Sequence, residues 1–284
     1  MTMKPFSLNL HGRIVEFTTP QVMGILNTTP DSFHSPSRAY EAEAAVEAAR
    51  LMIGEGADII DVGGYSTRPG AAEVSLEEEL RRVRLGVEAV RSISADIPVS
   101  VDTFRAEVAR MAVTEWGADI INDISGGNLD PEMHATVAEL HVPYILMHMR
   151  GTPADMQTLT SYPDGVVAGV AAELSRPLER LRRMGVADII IDPGFGFAKT
   201  LEQNYELLAG LPVLADLLEC PILAGMSRKS MITRLCGIPS TEALPGTIAL
   251  HTAAMLAGAA IVRVHDVKEA VQARDVTAML LKHQ

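Results

Sequence analysis

Four times along the chain a glycine is followed by a short turn and an apolar run that stops at a polar residue. The copies are Gly56-Ala57-Asp58-Ile59-Ile60-Asp61, Gly117-Ala118-Asp119-Ile120-Ile121-Asn122, Gly185-Val186-Ala187-Asp188-Ile189-Ile190-Ile191-Asp192 and Gly258-Ala259-Ala260-Ile261-Val262-Arg263. Each run is too short for a helix and suits a strand buried on both faces. The glycine fits the left-handed turn that ends a helix. The polar ends lie about 60 to 70 residues apart, twice the length of one strand–helix unit of about 30 residues. A further strand is therefore expected within each interval and one before the first, at 22–26, 99–101, 144–147 and 222–224. Apolar residues at three- and four-residue spacing predict helices over 42–53, 76–90, 105–116, 131–140, 166–184, 201–217, 247–256 and 267–281. Ser75 and Glu78 have the spacing of a capping box for the second of these.

Eight alternating units predict a single (β/α)8 TIM barrel, an α/β fold, spanning 1–284 as one domain. An open doubly wound sheet shares the alternation, which by itself does not show closure. Residues 1–20, with Asn9-Leu10-His11-Gly12-Arg13, are read as a small hairpin below the barrel. A length of 284 residues, 48% of them hydrophobic and only 4% aromatic, gives a large core built from aliphatic side chains.

The active site of such a barrel lies at the carboxyl ends of its strands. The residues there are Asn27, Asp61, Asp102, Asn122, His148, Asp192, Ser227 to Lys229, and Arg263 with His265. One aspartate after a strand is commonly only a helix N-cap. Polar ends on all eight strands, around apolar interiors, mark a site instead. Asp102, Asn122 and Asp192 form an acceptor-rich set for the N–H groups of a flat heterocycle, and Lys229 can donate to its acceptors. Asn27, Thr67, Arg68, Arg263 and His265 suit a phosphate group. The Gly194-Phe195-Gly196-Phe197-Ala198-Lys199-Thr200 segment lacks the glycines of a nucleotide P-loop and of a dinucleotide fingerprint. His148, in Met147-His148-Met149, reads as a hydrogen-bonded wall residue and not as a metal ligand, and Lys199 falls outside the ligand set, where alanine should cost little.

The net charge of −12 excludes the basic footprint of a nucleic-acid binder and disfavours anionic membranes. Cys220 and Cys236 lack partners at metal-ligand spacing and fit reduced thiols. The first residues have no signal-peptide pattern, and the apolar stretch 247–264 is interrupted by His251 and Thr252, so a cytoplasmic protein is expected.

Several ordered phrases carry a resemblance. They are Met23-Gly24-Ile25-Leu26-Asn27 with Thr29-Pro30-Asp31-Ser32-Phe33, Asp61 through Gly70, Val101-Asp102-Thr103, Ile121-Asn122-Asp123-Ile124, Met147-His148-Met149, Asp192-Pro193-Gly194-Phe195-Gly196-Phe197, Ser227-Arg228-Lys229 and Val262-Arg263-Val264-His265-Asp266-Val267. Over nearly its whole length the chain resembles the dihydropteroate synthase family. The resemblance implies that Asp102, Asn122, Ile124, Met147, Asp192, Lys229 and Arg263 hold a pterin. It assigns Asn27, Thr67, Arg68, Arg263 and His265 to a diphosphate, with Asn27 also meeting Mg2+. It assigns Phe33, Thr67, Pro69, Phe197, Ser227 and Arg228 to para-aminobenzoate. Lys229, Arg263, Asp102 and Asp192 would carry the chemistry.

The reaction so implied is displacement of diphosphate from a hydroxymethyl-dihydropterin by the aromatic amine, through a pterin cation, in a homodimer. The family's loop aspartate is replaced by Ser35, a usual glutamate by Tyr65 and a usual glycine by Ala198. A pterin-binding methyltransferase and a non-catalytic pterin-binding paralogue share the barrel and stay open as alternatives.

Overall fold

The computed structural model describes residues 3–29, 38–65, 73–152 and 155–283. Strands β1 (Phe6–Leu10) and β2 (Arg13–Phe17) form an antiparallel hairpin, as expected of the first residues. Then β3 (Gln21–Asn27), β4 (Ile59–Gly63), β5 (Val99–Asp102), β6 (Ile120–Asp123), β7 (Tyr144–Met147), β8 (Ile189–Asp192), β9 (Leu223–Ala224) and β10 (Ile261–Val264) run parallel to their neighbours. Their order is β8-β7-β6-β5-β4-β3-β10-β9. A bridge between Ile191 and Ile222, with Ile191 N–H donating to Pro221 O at 2.9 Å, joins the two ends. The sheet is a closed barrel and the open-sheet alternative falls away.

Helices α1 (Arg38–Gly54), α2 (Leu76–Arg91), α3 (Ala106–Thr114), α4 (Met133–Leu140), α5 (Val166–Arg183), α6 (Leu201–Ala209), α7 (Leu211–Leu218), α8 (Ser230–Cys236), α9 (Leu244–Leu256) and α10 (Val267–Leu281) surround it. Two local expectations change. The helix expected over 201–217 breaks at Gly210. Pro212 at the start of α7 lacks the N–H that would continue α6, and a Cβ on Gly210 would come within 2.4 Å of Val167. The capping box at Ser75 is only half made: Ser75 Oγ accepts from Glu78 N–H, but the Glu78 carboxylate pairs with Arg81 and Arg82. A full box instead opens α6, between Thr200 and Gln203.

The repeated phrase has a physical reason. Gly56, Gly117, Gly185 and Gly258 all have φ between +77 and +95°, the left-handed region that glycine enters freely. The aspartates that follow seal backbone at the amino end of the barrel. Asp58 accepts from Val22 N–H, Asp119 from Val99 N–H and Asp188 from Asn9 N–H, each at 2.7 Å. In the fourth copy Ala260 takes this place, and its carbonyl accepts from Gln21 N–H at 2.8 Å. The hairpin is thereby tied to β8 and closes the floor. Its Leu8, Leu10 and Phe17, with Met3, pack on Met23, Ile59, Ile120, Ile145, Ile190, Leu223 and Ile261 inside the barrel.

Asp119 also accepts from Arg91, so its removal leaves a buried amide and a cation short of partners. Asp119→Ala is expected to cost about 2–3 kcal/mol in urea unfolding, against less than about 0.5 kcal/mol for Glu88→Ala, which breaks an exposed pair with Arg84. Equal losses would refute the sealing role.

Candidate active site

A period of two along each strand decides what enters the barrel. Above the floor layer of Met23, Ile59, Ser100, Ile120, Ile145, Ile190, Leu223 and Ile261, the inward positions nearer the carboxyl end fall at Ile25 and Asn27, Asp61, Asp102, Asn122, Met147, Asp192, Gly225 and Arg263. Register places Gly63 beside Asp102, Asp102 beside Asn122, and Met147 beside Asp192. Seven of the residues read as ligand-binding thus share one ring: Asn27, Asp102, Asn122, Met147, Asp192, Arg263 and, just beyond Asn122 and Asp123, Ile124.

Arg263 is the hub of this ring. Its Nε donates to Asp61 Oδ2 at 2.6 Å and its Nη2 to Asp102 Oδ2 at 2.8 Å, while Asn122 Nδ2 reaches the same Asp61 oxygen at 3.1 Å. Asp61 is fully buried, and its Oδ1 has no partner. Burial pushes Asp102 up to about 7, with the Arg263 cation opposing and the Asp61, Glu79 and Asp123 carboxylates adding to the rise. Burial also raises Asp192, opposed by the Lys229 charge. Lys229 is drawn down to about 8 by burial, with Asp192 opposing. Asp61 was legible as a polar strand end, but its part in holding Arg263 has no sequence signal beyond its shared register.

One side of the mouth is apolar. Ile124, Met147, Met149, Met156 and Ala198 are buried together, with Phe104, Leu129 and Phe197 packed against them. Lys229 Nζ lies 4.7 Å from the centre of the Phe197 ring and donates to Phe195 O at 2.5 Å. Opposite, Ser227 Oγ meets His265 N at 3.2 Å and His265 Nδ1 at 2.9 Å. Arg228 takes a left-handed φ of 55°, and its guanidinium forms a paired contact with the Asp266 carboxylate. That contact, not the mouth, engages its charge. Phe33, Thr67, Arg68 and Pro69, together with Ser35, lie outside the described residues.

Two expectations about neighbours of the site resolve differently. His148 is a hydrogen-bonded wall residue as read, with Nε2 at 3.0 Å from Glu173. Lys199 lies outside the ligand ring but is buried: it is 4% exposed, and its head is bonded to His148, Gly194 and Phe197. The sequence placed it after a glycine-rich turn, where a lysine ordinarily faces water. Nothing in that pattern shows the chain turning back over it.

Residues able to hold a metal are few. Among the described residues no group of three or more His, Cys, Asp or Glu side chains converges. Asn27 offers one neutral oxygen at the end of β3. A Cβ on Gly63 would sit 3.5 Å from Asn27 Oδ1 and 4.0 Å from Asp102 Oδ2, so the glycine keeps a small cradle open between them. One neutral oxygen beside an open cradle fits Mg2+, which dehydrates reluctantly and is usually held by substrate phosphates and water.

A closed barrel whose mouth joins an acceptor ring, a buried arginine, a lysine and an apolar wall is an enzyme site for a flat, hydrogen-bonding heterocycle. The model of the pterin binding enzyme family matches residues 23–265. The chain belongs to that family, among the dihydropteroate synthases. It is 48% identical over 254 residues to the dihydropteroate synthase of Synechocystis sp., covering 88% of this chain and 86% of that protein. To the dihydropteroate synthase of Escherichia coli it is 46% identical, covering 95% of each. The structure of the Xanthomonas albilineans dihydropteroate synthase with 4-aminobenzoic acid superposes with a TM-score of 0.88 at 42% identity, over 97% of this chain and 98% of that one. The same enzyme in complex with 7,8-dihydropteroate gives 0.86 at 39%, over 97% and 99%.

The Asp102 carboxyl is expected to titrate near pH 7 in a carboxyl-carbon NMR experiment. Arg263→Gln should move the midpoint higher, because the cation that opposes the rise is removed. A midpoint near 4 in the unmutated protein would refute the desolvated site.

Proposed function

We infer that this chain condenses 6-hydroxymethyl-7,8-dihydropterin diphosphate with para-aminobenzoate, giving 7,8-dihydropteroate and diphosphate. The observation that carries this reading is the inward ring of Asp102, Asn122, Asp192 and Arg263, with Lys229 set against the Phe197 wall. Asp102, Asn122 and Asp192 accept from the pterin's N–H groups, and the Lys229 ammonium donates to its ring acceptors. Ile124 and Met147 line the ring, and Arg263 lies against its face. Para-aminobenzoate takes the rim between Phe197 and Ser227. The methyl-transfer alternative gives no role to the Ser227–Lys229 turn.

Asn27 would hold Mg2+ together with the diphosphate, and the ion would supply neutralising charge at the leaving group. Arg263 and His265, with Thr67 and Arg68, bind the same anion. The bond between the pterin's exocyclic carbon and the bridging oxygen breaks, and its electron pair leaves with diphosphate. The amine nitrogen then bonds to that carbon and gives up a proton to solvent or to the released diphosphate. A neutral aniline needs no strong base, so positioning and stabilisation of the leaving group carry the rate. The electron-rich dihydropterin favours departure first, through a short-lived cation.

A diphosphate-release assay tests the reading. Both substrates with magnesium should give dihydropteroate, chelation should stop it, and Lys229→Ala should lower turnover by about 10²- to 10³-fold with the fold intact. With a non-nucleophilic para-aminobenzoate mimic, label in the bridging oxygen should scramble into recovered substrate; its absence would favour concerted displacement.

We place the protein in the cytoplasm as a homodimer. Among the described residues no helix is long and apolar enough to cross a membrane, and both cysteines are free. The apolar 247–258 helix is one candidate oligomer face; on it Thr247, His251, Ala254 and Met255 are buried, while Ala249 and Ala253 are exposed. Val276, Met279 and Leu280, exposed at three- and four-residue spacing on α10, are proposed as the dimer surface. Val276→Lys should shift the sedimentation coefficient to that of a monomer; an unchanged value would exclude this face.

A further inference from the structure

The turn from β8 to α6 contains no regular structure, yet side chains hold every carbonyl from Gly194 to Ala198. Lys199 Nζ lies 3.0 Å from Gly194 O and 2.9 Å from Phe197 O, so it ties the first and fourth residues of the turn together. Phe195 O accepts from Lys229 and Gly196 O from Gln157. Ala198 O accepts from Tyr162 Oη at 3.1 Å.

The third contact of Lys199 leads outward. Its Nζ lies 3.1 Å from His148 Nδ1. Burial draws His148 down to about 4, so the ring is neutral and offers one lone pair. With Nδ1 facing the ammonium, the ring proton sits on Nε2 and is donated to Glu173. Arg150 grips the other side of Glu173 and lies over the Tyr162 ring at 3.8 Å, and Tyr162 returns to Ala198 O. The circuit is closed and joins the β7 turn, α5 and the β8 turn. Burial pulls Lys199 itself down to about 7, opposed by Asp192, while the three acceptors round its head need the ammonium form.

Gly194 shows how tight the join is. At φ +71°, a Cβ there would fall 2.0 Å from His148 O. The β8 turn is pressed on the β7 turn with no space for a side chain between them.

We propose that Lys199 is a positioning residue of the reaction: it fixes the Gly194–Phe197 turn so that Phe195 O and the Phe197 ring hold the Lys229 head and the wall of the aromatic-amine subsite. This rests on the synthase reading. Lys199 touches neither substrate in this account. Its effect passes through Phe195 O and the Phe197 ring to Lys229, which gives the pterin one contact among several. Asp102, Asn122, Asp192 and Arg263 hold the pterin without it, so the amine subsite is affected more than the pterin subsite.

The test is steady-state kinetics of Lys199→Met, which keeps length and removes the charge. The KM for para-aminobenzoate should rise about tenfold or more and kcat should fall. The KM for the pterin diphosphate should change less than about threefold, and its binding in the absence of the amine should persist by calorimetry. Amide hydrogen exchange should speed up over residues 194–198. If Lys199 served stability alone, Lys199→Met would melt lower but show both KM values unchanged well below its melting point, and the proposal would be lost. Should that variant not fold, Glu173→Gln loosens the circuit from its exposed end. A rise of about two- to fivefold in the para-aminobenzoate KM alone is then expected, and none would overturn the proposal. Failure of the synthase reading looks different, because the unmutated enzyme would itself release no diphosphate.

Discussion

A strand that closes into a barrel has no free choice of face: every second side chain must point inward, into a space shared with seven other strands. The whole molecule follows from that constraint. At the floor the inward positions are almost all aliphatic, and they pack with the hairpin into a dry layer. Two residues later the same faces bear Asp61, Asp102, Asn122, Asp192 and Arg263. The step from apolar to polar between adjacent layers creates the site. A one-residue slip of β8 would put Ile191 in the polar ring and turn Asp192 out toward the helices.

Charges stacked so closely need an internal counterweight. Arg263 supplies it, bridging Asp61 and Asp102, while Lys229 stands near Asp192. The carboxylates are not neutralised outright. Asp102 is left close to its midpoint at neutral pH, and one oxygen of Asp61 is left without a partner. Buried acceptors in this condition are stabilised by a ligand that brings N–H groups, and an empty site pays the desolvation cost.

Most of the scaffold was legible in the residues because its signals are local. A glycine at each helix end, a β-branched run and a polar stop are readable copy by copy, and the four repeats located eight strands within a residue or two. The ring of polar ends was legible for the same reason, since register follows from counting by twos. What escaped were features made by distant segments meeting. The break at Gly210 was signalled locally by Pro212, but the close approach of Val167, far away in sequence, was not. Arg228 met Asp266, 38 residues on, whereas the Glu78 carboxylate was lost to its cap by a local competition with Arg81 and Arg82 on the same helix. The burial of Lys199 had no signal in the sequence, because His148, which meets its head, and Glu173 behind it lie on other units of the barrel.

The hairpin under the barrel has a kinetic side. With Leu8, Leu10 and Phe17 wedged against the aliphatic floor layer, the amino end of the barrel is packed solid, and the polar ring faces the opposite mouth. The polar ring lies deeper in that mouth than Ser227 or Phe197 at its rim. Under the proposed placement of the substrates, a molecule seated on the ring would be covered by whatever occupied the rim, so the deep guest would enter first and, unless bonded to the second, leave last. Joining the two guests turns them into one passenger, and depth alone would set their order of arrival.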